Sequence, residues 1–196
     1  MKRILTVTVM GLGVAMASCF PAHAAPKGDG RPDGGNLNYS EYGRPATLDP
    51  ITSNETISLR ITELVFNGLV GIDEKQEIVP ELAERWEASK DGRVFTFFLR
   101  KDVKWHPREG EAPRPFTADD VVFTYNIMMH PKTITPLKVR YEFMEKVEKT
   151  GDYTVVITLK RPILNALAKF SFKIIPKHGP ANPQYLTREE DRKSVV

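Results

Sequence analysis

The chain predicts a mixed α/β lobe containing antiparallel hairpins, and three observations carry that reading. Two stretches alternate apolar and polar side chains with the period of a half-buried strand: Phe95, Phe97, Leu99 and Val155, Ile157, Leu159. A turn signal precedes each, Lys90 to Arg93 around Gly92 in one case and Gly151–Asp152 in the other. Two segments with helix-start chemistry, Thr52 with Glu55 and Thr117 with Asp120, interrupt the strands as single helices. Strand pairs mixed with single helices belong to the α/β or α+β layer architectures.

In chain order, Asn36 to Tyr42 is a short strand candidate that ends at the turn Leu48-Asp49-Pro50. Thr52 then stands three residues before Glu55 and opens a helix with the apolar stripe Ile57, Ile61, Leu64 and Val65, with Gly68 placed to stop it. Leu69 to Ile72 and Gln76 to Val79 flank Asp73 to Lys75 as a short hairpin. Pro80 is expected to open one or two helical turns through Leu82 and Trp86.

The strand Phe95 to Leu99 turns its alternate residues into the core, and Val103 and Trp105 continue the extended run. His106 to Pro115 is a polar, Pro-rich loop. Thr117 caps a second helix whose apolar side holds Val121, Tyr125 and Met128, with Asp119 and Asp120 favoured by the helix dipole. Pro131 to Lys149 gives no clear pattern. Pro162 is expected to open a short helix, followed by a strand from Ser171 to Ile175 and a stop at Pro176.

The two ends are of a different kind. Met1-Lys2-Arg3, an apolar run from Ile4 to Ala17 and then small residues follow the order of a secretory signal, which makes the protein exported. Cleavage after Ala24, at Ala22-His23-Ala24, gives residues 1–24 as the signal and a free periplasmic product. The competing reading is Met16 to Cys19 as a lipobox, with Cys19 anchored to lipid. Residues 25–35, rich in Gly and Pro, read as a flexible lead-in. Residues 191–196 translate from GATCGGAAGAGCGTCGTG, the start of a common sequencing adapter, and are expected to be an artefactual tail. Residues 36–190 are left as one lobe.

Composition narrows the function classes. Of the net charge of +3, two come from Lys2 and Arg3 and the third from Arg192 and Lys193 against Asp191, so residues 25–190 are neutral overall. Without a basic block, neither nucleic acid nor an anionic membrane surface has support as a partner. Cys19 is the only cysteine, which excludes an internal disulfide, and its loss with the signal excludes thiol chemistry.

Catalytic constellations are lacking. Asp119 and Asp120 point about 100° apart on a helix and read as capping groups. His106 with Glu109, His130 and His178 each lack a further ligand at metal-site spacing. Ser40 has no strained nucleophile context, and Gly28-Asp-Gly30 precedes the first strand, unlike a phosphate loop. Phe95 to Phe98 could stack bases or sugars, but alternation and neutral charge favour a core strand. No cofactor and no metal are expected.

Residues Ala83 to Asp102 (AERWEASKDGRVFTFFLRKD) resemble the signature of the family 5 extracellular solute-binding proteins, which include oligopeptide-, dipeptide- and nickel-binding proteins. Further hallmarks stand in the family's order: Thr47 to Pro50, Leu64 to Leu69, Val79 to Ala83, Val103 to His106, Phe116 to Asn126 and Ile175 to His178. Together they cover roughly residues 36–180. Where the family has a short Asp-Gly turn after Trp-His, this chain carries the longer loop Pro107 to Pro115.

The resemblance implies a periplasmic-binding-protein-like fold of class II, represented by the first lobe with its inserted subdomain and without the second lobe. It also implies the binding component of an ABC importer, a monomer that captures a peptide or similar small solute and hands it to membrane permease subunits. An extended peptide is then held through its main chain beside strand edges. By that similarity Ser40, Glu41 and Tyr42 look like a cleft-lining segment, with Tyr141 as a further candidate. An ordinary edge strand with an exposed Glu41 is the competing reading. The acidic group for a ligand's α-amino end would lie in the second lobe, so the fragment is expected to bind weakly. A peptide-sensing or chaperone-like protein on the same scaffold is the alternative function, and an exported hydrolase the third.

Overall fold

A computed structural model describes residues 40–107 and 110–178. The signal (1–24), the lead-in (25–35), the tail (191–196) and the start of the first strand candidate lie outside the described residues. No helix among those described is long and apolar enough to cross a membrane.

The centre of the fold is a four-stranded antiparallel sheet in the order β3-β4-β8-β7, formed by β3 Ala83–Ala88, β4 Val94–Leu99, β7 Met144–Gly151 and β8 Thr154–Leu159. The two alternating stretches are its central strands. Phe97 stands opposite Val155 and Phe95 opposite Ile157, so both strands turn the same set of side chains inward. On β7, Val147 faces Ile157 and Met144 faces Leu159, with a register shift between Met144 and Lys146 that keeps both inside. Helix α2, Ala118–Met129, covers that face with Val121 and Met128. The 3-10 helix Ala166–Ser171 closes the core with Phe170, whose ring centroid lies 5.2 Å from Phe95 and 5.1 Å from Phe97.

Strand β3 corrects the expectation of helical turns after Pro80. Ala83 to Ala88 contains good helix formers, and Leu82 and Trp86 have helical spacing. Yet β4 needs a partner for its outer N–H and C=O groups, and β3 supplies it, placing Trp86 opposite Phe97 and Ala88 opposite Phe95. The exposed Glu84, Arg85 and Glu87 suit an edge strand. Arg85, opposite Phe98, sets its guanidinium 3.3 Å from the centre of that ring on the outer face.

Around the sheet sit smaller elements. The predicted hairpin is present as β1 Val70–Ile72 and β2 Ile78–Pro80. The Pro-rich loop is itself a small hairpin, β5 Lys104–Trp105 paired with β6 Arg114–Pro115. The unassigned region holds α3 Leu137–Tyr141 and β7. Lys138 of α3 donates from Nζ to the carbonyls of His130 at 2.6 Å and Thr133 at 3.2 Å, and so satisfies groups left open where α2 ends. The predicted strand from Ser171 to Ile175 forms no ladder. Its start belongs to the 3-10 helix, and burial of Phe172 and Ile174 holds the rest, with Ile174 N–H donating to the Asn67 carbonyl at 3.0 Å.

Helix α1, Thr56–Val65, begins later than the spacing suggests, because Thr52 is already engaged. Its hydroxyl donates to Asp49 Oδ2 at 2.7 Å inside a turn where Asp49 also accepts from Ile51 N at 3.0 Å. Glu55 caps the helix itself, accepting from Ile57 N at 2.8 Å and Ser58 N at 2.7 Å. The buried side of α1 carries Ile57, Ser58 and Thr62, whereas Leu64 and Val65 of the predicted stripe are exposed. Gly68 does not stop the helix, which has ended at Val65. A Cβ at Gly68 would stand 2.7 Å from the Ser171 carbonyl oxygen, so this glycine allows two backbones to touch.

Candidate ligand-binding site

The four residues singled out by the family resemblance are placed in two ways. Ser40 to Tyr42 form no strand, since nothing pairs with their backbone in a ladder among the described residues. Ser40 and Tyr42 are exposed, Tyr42 by 86%. Glu41 is not an exposed edge carboxylate: its side chain is only 8% accessible and accepts from Arg60 Nη1 at 3.1 Å. Tyr141, the last residue of α3, is 5% exposed and packs its ring against Phe172 at 5.4 Å and Phe143 at 6.1 Å. Burial pushes its phenol above the usual tyrosine range. Helix α1 neighbours both groups, for Arg60 holds Glu41 and the Glu63 charge acts on the Tyr141 hydroxyl.

A cavity of about 240 Å³ opens where three parts of the chain meet. The end of α1 contributes Val65 and Phe66; the β5–β6 hairpin contributes Trp105, His106, Pro107, Glu111, Ala112 and Arg114; Pro176 and His178 close the third side. None of Ser40, Glu41, Tyr42 or Tyr141 lines it. His106 and His178, far apart in sequence, thus share one cavity. Among the described residues no group of three or more His, Cys, Asp or Glu side chains is arranged to hold a metal ion; Glu109 lies outside them.

Asp120 joins two sides of this cavity, the β5–β6 hairpin and the segment around Lys177. As predicted, it serves the α2 cap, accepting from Thr117 N at 2.9 Å. The sequence did not reveal its other duties. Asp120 Oδ2 also accepts from Trp105 Nε1 at 3.2 Å, and Oδ1 accepts from Lys177 N at 2.8 Å, while the residue is only 2% exposed. Three N–H donors and the α2 N-terminus stabilise a carboxylate that would be costly to bury alone. Thr124 Oγ1 adds a second tie to the segment Ile175–Lys177, accepting from Ile175 N at 3.0 Å.

Asp119 faces outward and serves a different purpose. Its Oδ2 accepts from Lys149 Nζ at 2.9 Å and its Oδ1 lies 3.6 Å from Lys177 Nζ. The Lys149 hydrogen bond holds the Asp119 carboxyl below its ordinary value against the opposing effect of desolvation. No spacing rule could have found these partners. Trp105 and Lys177 are 15 and 57 residues from Asp120, and the available signal was that the three segments are family hallmarks.

Comparison with known proteins places this lobe. The family described as bacterial extracellular solute-binding proteins, family 5 Middle, matches residues 77–194. The oligopeptide-binding protein AppA of Bacillus subtilis is 31% identical over 97% of this chain and 35% of its own length. Its structure with a nonapeptide superposes with a TM-score of 0.61 at 31% identity, covering 70% of this chain and 27% of AppA. NikZ from Campylobacter jejuni in complex with Ni(L-His) gives 0.63 at 34% identity over 76% of this chain and 29% of NikZ. The ABC transporter-associated periplasmic binding protein DppA from Helicobacter pylori, in complex with the peptide STSA, gives 0.60 at 26% identity over 76% and 31%. The chain belongs to the bacterial extracellular solute-binding proteins of family 5, and its fold is the mixed α/β fold of that family. It spans about a third of the length of these relatives.

Proposed function

We propose that this chain is the N-terminal lobe, residues 36–190, of the solute-binding component of an ABC importer, which captures peptides or a similar small solute outside the cytoplasmic membrane and delivers it to the permease. The observation that supports it is the likeness of the lobe to three relatives solved with a ligand bound, two of them with peptides. The family is one of solute binders, and the named relatives lend nothing to a sensing or chaperone-like role.

In this reading the exposed Ser40 and Tyr42 offer main-chain groups to an extended ligand, while Arg60 keeps the Glu41 side chain occupied. Tyr141 steadies α3 from within the core. The mature protein starts at Ala25 in the periplasm as a monomer, with anchoring through Cys19 as the alternative start.

Thermal unfolding of the full-length gene product tests the function. A ligand that binds only the native state raises the midpoint as its concentration rises. Short peptides are expected to do so. A shift with nickel–histidine or an oligosaccharide alone would replace the peptide reading, and no shift with any of them would end the transport proposal. Mass of the mature N-terminus separates Ala25 from a lipidated Cys19.

A further inference from the structure

We propose that Arg60 is a specificity-determining residue of the ligand site: by holding the Glu41 carboxylate it keeps the segment Ser40 to Tyr42 neutral towards the charge of a bound peptide. The proposal rests on the peptide-binding reading above and adds the charge preference of that same site.

Helix α1 and its cap give this segment its place. From Glu41 to Thr47 the chain is joined to them at four points. Arg60 Nη1 donates to Glu41 Oε1 at 3.1 Å and lies 3.5 Å from Oε2. A Cβ at Gly43 would stand 2.9 Å from Ile57 Cδ1, so the backbone there rests against that side chain. Ala46 N donates to Glu55 Oε1 at 3.2 Å, and Thr47 N to Ser58 Oγ at the same distance. The last three contacts fix backbone. The first decides where a charge goes.

The pair is unequal in a way that matters for a ligand. The Glu41 side chain is 8% accessible, whereas Arg60 is 55% accessible. A carboxylate so shielded from water is less screened than an exposed one, and it stands one residue from both Ser40 and Tyr42, whose exposed main chain would meet an extended peptide. Its charge would act on that peptide unless a cation offsets it. Arg60 supplies the cation at hydrogen-bonding distance, in a charge-assisted bond. The other carboxylate of this stretch, Glu55, is committed to the start of α1 through Ile57 N and Ser58 N. Glu55 and the exposed Arg44 stay the same in every variant below, so they cancel from the comparison.

Calorimetric titration of the full-length gene product with Ala-Ala-Ala, Ala-Lys-Ala and Ala-Glu-Ala tests this, read as the ratio of the Kd for Ala-Glu-Ala to the Kd for Ala-Lys-Ala. Arg60→Met should raise that ratio about fivefold, the order expected of one charge within a Debye length of the ligand, and the rise should shrink at about 1 M salt. Glu41→Gln should lower the ratio, because Glu41 then no longer offsets the Arg60 charge. The double variant should return to the parent's ratio, and Arg60→Lys should keep it. Loss of a merely structural contact would weaken all three peptides alike and leave the ratio where it was. If the parent binds the peptides but Arg60→Met and Glu41→Gln leave the ratio unchanged, or shift it in the same direction, this inference is overturned and the peptide-binding reading stands. If none of the three peptides binds the parent, that reading falls and the inference falls with it.

Discussion

The four-stranded sheet and helix α1 solve the same problem of burying apolar side chains in opposite ways. On β4 and β8, every inward position is apolar and buried, and every outward one is partly exposed. Helix α1 buries Ser58 and Thr62 and exposes Leu59, Leu64 and Val65. Its hidden hydroxyls have partners, since Ser58 Oγ accepts from Thr47 N at 3.2 Å and Thr62 Oγ1 donates to the Leu59 carbonyl at 2.9 Å. The difference teaches that a satisfied small hydroxyl can take an interior place as readily as an apolar group. It also teaches that a strand's strict period of two leaves less room for such exchange than a helix surface does.

The largest break in that comparison should come from Phe97→Ala. Phe97 is fully buried on a central strand and contacts Phe170, so about 3–5 kcal/mol should be lost in urea unfolding. A loss under 1 kcal/mol would mean that the sheet is not the stabilising centre. Next comes Gly68→Ala, where the new Cβ meets the Ser171 backbone at 2.7 Å and cannot be relieved by a side-chain rotation. About 1–3 kcal/mol should be lost, and a neutral result would show that the two backbones can separate freely.

A smaller, pH-dependent effect belongs to the Asp119–Lys149 pair. The Asp119 carboxyl is held low in the folded protein, so its stabilisation is present above the unfolded value of about 4 and fades as pH falls through the lower folded value. Lys149 is shifted up by the same hydrogen bond, so its share is lost only as pH rises through its raised folded value. Asp119→Asn should therefore lower the urea midpoint at pH 7 and flatten its decline in acid. The same acid decline in the variant would remove Asp119 from the account. Smallest of all should be Leu64→Ala: at 56% exposure, it should change stability by no more than about 0.5 kcal/mol. A loss near that of Phe97→Ala would show that this side chain is buried in the folded protein.

How much was legible in the sequence follows from how local each determinant is. The alternation Phe95, Phe97, Leu99 and Val155, Ile157, Leu159, the turn at Gly92 and the Thr117–Asp120 start of α2 involve neighbours within a few residues, and all were readable. Cap competition was less so: Thr52 and Glu55 stand at capping-box spacing, but Asp49 takes the Thr52 hydroxyl first. For Ser40 to Tyr42, local extended propensity could not supply a pairing strand, and Arg60, 19 residues away from Glu41, decides where that carboxylate goes.

By itself, then, the amino-acid sequence determined the fold class, the inner faces of the central strands and the family, because hydrophobic period and motif order are written along the chain. Only the tertiary structure decided that Ala83 to Ala88 is a strand, that Gly68 is a contact between backbones, and that Asp120 joins Trp105 and Lys177 around one cavity. The reason is physical. Each of these depends on which distant backbone or side chain leaves a hydrogen bond or a space to be filled, and that is fixed only when the sheet has formed.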